Sequence, residues 1–265
     1  MSSLIDSPRH PRIAAARRLH RRSSREDERL FLVEGRQAVG ELLRCATANE
    51  IFATADALAR NADILAGHEV QLVSERVASS LSDTVTPQGL VAVAPFTAVD
   101  LDAAVPPGAR LAAVLIDARD PGNAGTVIRV ADAAGAEAVI LAGDSVDPHN
   151  GKCVRSAAGS SFHLPVVSSR SVDEVVQALR ARGLLILAAD GGATEELPAL
   201  AADGRLAGPT AWLFGNEAHG LSAEILALAD LVVRVPIYGQ AESLNLATAA
   251  AVCLYASAVA GRAAR

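Results

Sequence analysis

Along the chain, short apolar runs alternate with stretches in which apolar residues recur at helical spacing. The runs predict buried strands, and the helical stripes predict helices that pack on them. Up to residue 96 the predicted strands are 30–33, the start of 50–58, 68–75 and 89–96, with helices after Gly35, at the end of 50–58 and from an N-cap at Ser74. We therefore expect a small α/β domain over residues 26–96.

A second block of alternation begins at Leu111, after a Pro106-Pro107-Gly108 run that predicts a linker over residues 97–108. Its predicted strands are 111–117, 137–143, 163–169, 184–190, 210–217 and 231–237, and its predicted helices are 123–134, 153–161, 172–183, 222–230 and 244–260. Strands that alternate with helices form parallel sheets covered on both faces. We therefore expect a mostly parallel sheet in a domain over residues 109–265.

The composition is that of a sizeable aliphatic core. Of the 265 residues 51% are hydrophobic and 3% are aromatic, which favours closely packed helices on a buried sheet. No apolar run approaches the roughly 18 residues of a membrane span, and the basic N-terminus lacks the apolar stretch of a signal peptide. We therefore expect a soluble, cytoplasmic protein. Cys45, Cys153 and Cys253 show no metal-ligand spacing, so we expect neither a metal site nor a disulfide framework.

The charge of the chain is unevenly distributed. The net charge is −6, yet residues 1–25 hold seven arginines and one acid, a local net of +6 that leaves −12 on the rest. Arginine pairs with phosphate in bidentate geometry, so this basic arm predicts contact with RNA. The candidate RNA-binding residues are Arg9, Arg12, Arg17, Arg18, Arg21, Arg22 and Arg25. The alternative is a solubilising tail, although Ile13, Ala16 and Leu19 form a helical apolar stripe that could dock the segment.

Three polar segments that contain glycine follow predicted strands, at 117–136, 213–222 and 235–251. Ligand sites of open α/β sheets form beyond the carboxyl ends of the strands, so each segment is a candidate site. Neither the GxGxxG spacing nor the phosphate loop GxxxxGK[ST] occurs in the first segment, so a nucleotide site of the usual kind is not indicated.

Each segment also has a plain structural interpretation. Asn123 is a candidate N-cap of the helix that follows it, and Arg129 is placed to pair with Asp132 on the next turn. Glu217 is placed to cap the following helix, and His219 in the same loop is a weak candidate for chemistry. The third segment, VPIYGQAESLNLATAAA, carries more polar residues than one helix cap requires.

Together, NAGTVIRVADAAG, LFGNEAHGLS and VPIYGQAESLNLATAAA resemble the three signature motifs of the SpoU (TrmH-type) RNA ribose 2′-O-methyltransferases of the SPOUT superfamily, in that order. The resemblance covers most of residues 109–260. The segment from about 26 to 95, with FLVEGRQAV and LSDTVTPQGLVAVAP, resembles the small substrate-binding domain that many members carry. Ala218 and Ala134 stand where the family often has glycine and phenylalanine, and neither departure removes a polar group.

The resemblance implies an α/β fold with a knotted (trefoil) SPOUT-type parallel sheet covered by helices, and a smaller N-terminal α/β substrate-binding domain. It implies S-adenosylmethionine as the methyl donor, RNA as the substrate, and a homodimer whose active site takes residues from both subunits. The implied catalytic residues are Asn123, Arg129, Glu217, Ser243 and Asn245. The implied cofactor-binding residues are Leu213, Phe214, Gly215, Val235, Ile237, Gly239, Leu244 and Leu246.

These residue types suit a transfer to a ribose hydroxyl, which is a poor nucleophile until its proton is removed or polarised. By resemblance Arg129 contacts the hydroxyl and the adjacent phosphate; whether it takes the proton stays open, since a guanidinium normally stays protonated. Glu217 would orient Arg129 through a charge-assisted pair, and Ser243 and Asn245 would bond to Arg129 or the substrate. Asn123 would fix a phosphate or a backbone turn.

The resemblance indicates 23S ribosomal RNA as the substrate, because a separate domain before the SpoU part is more typical of the ribosomal RNA enzymes than of the tRNA enzymes. A tRNA ribose 2′-O-methyltransferase and a non-catalytic RNA-binding or ribosome-assembly factor stay open, although the intact catalytic set speaks against the latter. The missing GxGxxG and the basic arm speak against a small-molecule enzyme with a dinucleotide-binding sheet. The modified nucleotide, the use of naked or assembled RNA, and any role in antibiotic resistance are left open.

Overall fold

The structure is a computed structural model that describes residues 4–96 and 99–263. Residues 1–3 of the predicted arm, 97–98 of the predicted linker and 264–265 of the predicted second domain lie outside the described residues. The described chain forms two compact units: residues up to Phe96 with His149–His163, and residues 99–148 with 164–263. This division differs from the predicted domains, because residues 149–163 belong to the first unit.

The elements follow the predicted alternation of strands and helices. The strands are β1 (Leu30–Glu34), β2 (Glu50–Ala53), β3 (Gln71–Leu72), β4 (Leu90–Pro95), β5 (Leu111–Ile116), β6 (Ala138–Ala142), β7 (Val166–Ser169), β8 (Leu185–Ala189), β9 (Glu195–Glu196), β10 (Thr210–Phe214) and β11 (Leu231–Arg234). The helices are α1 (Pro11–Arg18), α2 (Arg22–Glu28), α3 (Arg36–Cys45), α4 (Ala55–Arg60), α5 (Ala62–Leu65), α6 (Glu75–Ser80), α7 (Leu101–Ala104), α8 (Pro121–Ala134), α9 (Gly151–Ala157), α10 (Val172–Ala181), α11 (Leu197–Ala202), α12 (Ala223–Leu226) and α13 (Leu246–Ala263).

The first unit is built on a four-stranded sheet in the order β1-β4-β2-β3. Strand β4 is antiparallel to both β1 and β2, and the two-residue β3 is parallel to β2. The predicted strand at 68–75 is therefore much shorter than the pattern suggested. On one face of the sheet Val39 and Leu42 of α3 pack in a buried cluster that also holds Val154 of α9. This contact explains why residues 149–163 group with the first unit.

The basic arm is a folded part of the first unit. Ile13, Ala16 and Leu19 are buried in a cluster on the other face of the sheet, so the apolar stripe does dock the segment and the described part of the arm is not a loose tail. Arg25 is also buried, at 4% exposure, and its Nη1 donates hydrogen bonds to the carbonyl oxygens of Leu19 (2.8 Å) and His20 (2.9 Å). Since its guanidinium binds the arm's own backbone, we remove Arg25 from the RNA-binding candidates.

The second unit is built on a seven-stranded sheet in the order β7-β6-β5-β10-β8-β11-β9, and every described pair of neighbours in it is parallel. All residues of β5, β6 and β10 are buried, as expected for strands covered by helices on both faces. Phe214, at the end of β10, lies opposite Ala189, at the end of β8, and Ala189 lies opposite Val233 of β11. Three strands therefore end side by side at one edge of the sheet.

Helix α8 begins two residues earlier than the pattern predicted. Asp120 is its N-cap and accepts a hydrogen bond from the backbone N–H of Asn123 (2.8 Å), while Pro121 occupies the first turn, where its missing N–H costs nothing. The interpretation of Asn123 as the N-cap was therefore wrong. Its side chain is left available for other contacts.

Helix α13 closes the chain against the sheet of the second unit. Seven of its residues are buried, and the Trp212 Nε1–H of β10 donates to Ser257 Oγ of this helix (2.9 Å). Burial also raises the pKa of the Cys253 thiol to about 12, so this thiol stays protonated. By length and composition alone α13 could cross a membrane, although no apolar run of that length was predicted from the sequence; in the structure one side of it packs against α8, β5 and β10. Val252, Tyr255 and Val259 form an exposed apolar face on it.

Candidate functional site

A cavity of about 910 Å³ opens where β8, β10 and β11 end side by side. Its wall is made mainly by the three segments that leave these strands, at 189–191, 214–218 with Gly220, and 233–238 with 242–246; Asn123, Glu196 and Ala249 complete it. The cavity thus combines polar residues from all three candidate segments of the sequence. This is the position at which open α/β sheets bind ligands.

Most of the predicted cofactor residues line this cavity. Those at the wall are Phe214, Gly215, Val235, Ile237, Leu244 and Leu246. Two predictions differ from the structure. Leu213 is fully buried inside β10, and neither Leu213 nor Gly239 is among the residues that line the cavity.

Three of the five predicted catalytic residues form one hydrogen-bonded row. The Asn123 amide donates to Glu217 Oε1 (3.0 Å), and the Asn245 amide donates to Asn123 Oδ1 (3.0 Å). Asn245 Oδ1 in turn accepts from the backbone N–H groups of Ala247 (2.9 Å) and Thr248 (3.3 Å), which caps α13, so this helix begins at Leu246, two residues later than predicted. The row therefore ties α8, the loop after β10 and the start of α13 together, and Ser243 lines the same cavity.

Arg129 lies apart from this row. It is exposed on α8 and does not line the cavity. The separation of six positions between Asn123 and Arg129 corresponds to a rise of about 9 Å and places the two side chains on different faces of the helix. Within one chain, the structure does not bring Arg129 to the other four predicted catalytic residues.

The loop after β10 is a closed turn. Asn216 and Gly220 exchange two backbone hydrogen bonds, of 3.1 and 2.9 Å, and the Asn216 amide donates to the carbonyl oxygen of Asp117 (2.7 Å). Asp117 itself has a φ of 54°, which is uncommon for a residue other than glycine. Asn216 was not among the predicted site residues. Its position next to Glu217, in a loop with glycine at both ends, is the sequence feature that could have indicated a role for it.

A second cavity, of about 840 Å³, lies on the other side of this turn. Asn123 and Glu217 belong to the walls of both cavities, and Arg119 and His219 line only the second. The hydrogen bond between Asn123 and Glu217 therefore lies at the boundary between two spaces, of which the first could hold a donor molecule and the second an acceptor. Ser222, not Glu217, caps α12.

The arginines of the arm differ in their availability. Arg12 is bound to Glu50 and Gln71, and Arg18 and Arg22 are paired with Glu28 and Glu26. Three others are exposed and make no ion pair among the described residues: Arg9, Arg17 and Arg21.

One group in the first unit bears on the predicted absence of metals. Ligand atoms of Glu41, Cys45 and His163 lie within 4.8 Å of one another. The Arg44 guanidinium, however, contacts both Glu41 (2.6 Å) and His163 (3.1 Å), so a cation is already bound there. The absence of a metal stays a prediction.

Comparison with protein families assigns both units. Residues 110–255 match the model of the SpoU rRNA Methylase family, which covers more than half of the chain. The chain belongs to the SpoU rRNA methylase family. Residues 10–92 of this SpoU methylase match the MRM3-like substrate binding domain, which includes most of the basic arm.

Relatives of this SpoU methylase are similar over nearly its whole length. It is 36% identical over 255 residues to the 23S rRNA (guanosine(2553)-2′-O)-methyltransferase RlmP of Bacillus subtilis, a match that covers 95% of this chain and 97% of the relative. A solved RNA 2′-O ribose methyltransferase is 33% identical, with a TM-score of 0.84 over 98% of this chain and 100% of that one. An AdoMet-bound rRNA methyltransferase from Sinorhizobium meliloti is 29% identical, with a TM-score of 0.83 over 97% of both chains. These similarities confirm the fold and the family that the motifs indicated.

Proposed function

We propose that this SpoU methylase transfers a methyl group from S-adenosylmethionine to a ribose 2′-hydroxyl of 23S ribosomal RNA. The observation that carries the proposal is the row of Asn123, Glu217 and Asn245 at the wall of the cavity beyond β8, β10 and β11. Three motifs that are distant in sequence converge there, in a chain whose relatives are named as 23S rRNA 2′-O-methyltransferases. A non-catalytic binding factor would have no need of this convergence.

The cavity fits S-adenosylmethionine. It is large enough for a ligand of that size, and Phe214, Val235, Ile237, Leu244 and Leu246 supply apolar wall. At Gly215 the backbone of the turn after β10 comes so close that no side chain would fit, so glycine is needed for this loop to form its part of the cavity wall. When bound, the cofactor supplies an activated methyl group on a positively charged sulfur.

The protein's own part is to bring a ribose hydroxyl into line with that methyl group. Alignment can supply much of the rate of a displacement reaction. Glu217 and Asn123, shared by the two cavities, are placed to orient an acceptor nucleotide in the second cavity against a donor in the first. Arg129 would contact the hydroxyl and its neighbouring phosphate, lowering the cost of the developing negative charge.

Arg129 reaches that place only from a second copy of the chain. Two features support a homodimer. The first is that Arg129 is exposed and separated from Asn123 within its own chain. The second is that α13, which runs parallel to α8, presents the apolar residues Val252, Tyr255 and Val259 to solvent. Helices α8 and α13 run side by side, because Asn123 and Asn245 are hydrogen-bonded at their starts and Gly135 lies next to Arg262 at their ends. Arg129, near the middle of α8, therefore lies at about the same height along the helix axes as the apolar face of α13. A second copy packed there would cover the apolar face and place Arg129 at a neighbouring site.

The first unit would supply affinity for the RNA. It matches a substrate-binding domain, and its exposed Arg9, Arg17 and Arg21 present a basic surface on an otherwise acidic protein. Ribosomal RNA folds around its loops, and sequence-specific proteins recognise such unpaired regions together with phosphates. We also keep the trefoil knot and the cytoplasmic location as parts of the proposal.

Neutralising the free arginines of the arm should weaken the salt dependence of RNA binding. We expect Arg17→Gln with Arg21→Gln to lower the slope of log affinity against log salt by roughly 1 to 2, because each phosphate contact contributes about 0.7–0.9. The control is Arg60→Gln with Arg205→Gln, since both arginines are already paired with carboxylates. If the salt dependence of RNA binding has the same slope in both double variants, the arm does not contact RNA phosphates and has a structural role only.

The function is tested with purified protein, radiolabelled S-adenosylmethionine, and separate pools of unmodified 23S rRNA, tRNA and assembled large ribosomal subunits. Alkali-resistant labelled dinucleotides after hydrolysis identify 2′-O-methylation, and we expect them from the 23S rRNA. Label in tRNA alone would mean that tRNA, and not 23S rRNA, is the substrate. If all pools stay unlabelled while the cofactor binds, the protein is a binding factor and the proposal fails.

A further inference from the structure

The cavity beyond β8, β10 and β11 is strongly acidic. Four carboxylates line it, those of Asp190, Glu196, Glu217 and Glu242, and Arg234 is the one arginine or lysine among the described residues at its wall. An excess of negative charge attracts a positively charged ligand and repels an anionic one. The negative charge of this cavity therefore suits a methyl donor with a net positive charge. S-adenosylmethionine is such a donor, because it has two cationic groups, a sulfonium and an ammonium, and only one carboxylate.

The four carboxylates differ in how they are bound. Glu196 accepts a hydrogen bond from Arg234, and Glu217 accepts one from Asn123. Glu242 lies exposed on the loop after β11 and is free to remain in water. Asp190 is half-buried, and among the described residues its Oδ1 accepts a hydrogen bond from the backbone N–H of Gly192 (2.8 Å).

The second oxygen of Asp190 points towards the turn that carries Glu217. A methyl group placed on Gly220 would lie 3.8 Å from Asp190 Oδ2, so this oxygen lies beside the loop after β10, which also lines the cavity. Its backbone is fixed from two sides, since Asp190 N donates to the carbonyl oxygen of Val233 (3.0 Å) and its own carbonyl accepts from Ala193 (3.3 Å). Together with the bond from Gly192, these contacts hold the charge in place directly after strand β8.

We propose that Asp190 is the counter-charge for the positively charged half of the methyl donor. The inference rests on the proposed function, and it assigns to this chain a residue that none of the three motifs contains. Because the carboxylate is anchored before binding, it contributes attraction without the cost of ordering a mobile side chain. Asp190 is a binding residue for the donor and takes no part in moving a proton.

The test is calorimetric binding of three compounds to the intact protein without RNA. S-adenosylmethionine carries both cationic groups, S-adenosylhomocysteine keeps the ammonium but lacks the sulfonium, and 5′-methylthioadenosine lacks both. The variant is Asp190→Asn, because the amide oxygen still accepts the bond from Gly192 while the charge is lost. The matched control is Glu242→Gln, which removes one charge from the exposed rim of the same cavity.

We expect Asp190→Asn to weaken S-adenosylmethionine binding about 10- to 100-fold, the range for loss of a charge-assisted bond, and to leave 5′-methylthioadenosine within about twofold. A parallel loss for S-adenosylhomocysteine identifies the ammonium as the partner, and an unchanged affinity identifies the sulfonium. Equal losses for all three compounds, no loss, or an equal effect of Glu242→Gln would each overturn the proposal.

Two further measurements separate this inference from the proposed function. If the wild-type protein binds none of the three compounds, the proposed function itself is wrong. Thermal melting without ligand verifies that Asp190→Asn is folded, and Asp190→Glu, which keeps the charge on a side chain one methylene longer, should recover part of the S-adenosylmethionine affinity. A charge-independent structural role would leave the two variants equally impaired.

Discussion

Replacing Gly215 with alanine is expected to lower the stability of the second unit and to abolish binding of S-adenosylmethionine. The added methyl group would lie 2.6 Å from the backbone nitrogen of Leu221 and still closer to the carbonyl group of Gly220. These are main-chain atoms of a turn closed by two hydrogen bonds, so no side-chain rotation relieves the clash. Overpacking of this kind costs about 1–3 kcal/mol, which for a chain of this size lowers Tm by roughly 2–10 °C.

The measurement combines a thermal melt with calorimetric titration of the cofactor. Gly239→Ala is the matched control, because a methyl group at Gly239 meets no atom within 4 Å and its φ is not positive. Gly239 was also predicted to face the cofactor, so normal binding by this variant would confirm the correction. If Gly215→Ala melts and binds as the wild type does, the turn is more pliable than its hydrogen bonds indicate, and the proposed wall of the cavity is wrong.

Replacing Arg129 with alanine should abolish methyl transfer and leave cofactor binding intact. Arg129 is exposed and does not line the donor cavity, so its loss removes no contact with S-adenosylmethionine within the chain. A group that stabilises developing charge or helps to remove a proton contributes roughly 10²- to 10⁴-fold to the rate. We expect kcat to fall by a factor in that range, measured with 23S rRNA, and the cofactor Kd to change less than twofold.

Mixed dimers test whether Arg129 acts on the neighbouring subunit. Arg129→Ala and Asn123→Ala chains, coexpressed with different tags, each lack one half of the catalytic set. If Arg129 acts in the partner's site, a mixed dimer has one intact site, and a random mixture should recover about a quarter of the wild-type activity. No recovery, with mixed dimers verified by the tags, would mean that Arg129 and Asn123 of the same chain act in one site. That result would contradict the proposed arrangement.

The parts of the fold that could be predicted are those with a strong local signal. The six longer strands of the second unit read as apolar runs because both faces of a parallel sheet are buried, and Ser74 is the cap that its position indicated. The convergence of Asn123, Glu217 and Asn245 followed from the rule that parallel strands carry sites at their carboxyl ends, and from the resemblance to a family.

Other features depend on contacts between distant residues, which local patterns do not contain. Arg25 looked like its neighbours in a basic run, and only the fold shows that it binds the carbonyl oxygens of its own arm. Asp120 took the cap that Asn123 was expected to provide, because both are good capping residues three positions apart. Asp190 is a single acidic residue at the end of an apolar run, and no sequence pattern around it indicated a role in binding.

The segment 149–163 makes the first unit a poor candidate for a transferable module. The core of that unit includes Val154, and its nearly buried Glu34 is paired with Arg155, so both contacts come from helix α9, which lies in the chain between β6 and β7 of the other sheet. A fragment ending at residue 96 would leave an apolar gap and a carboxylate without its arginine. A simple N-terminal fusion could therefore not transfer this unit complete. Because the first unit needs a segment encoded within the residues that match the SpoU model, an exchange of this unit would have to change both parts of the sequence together.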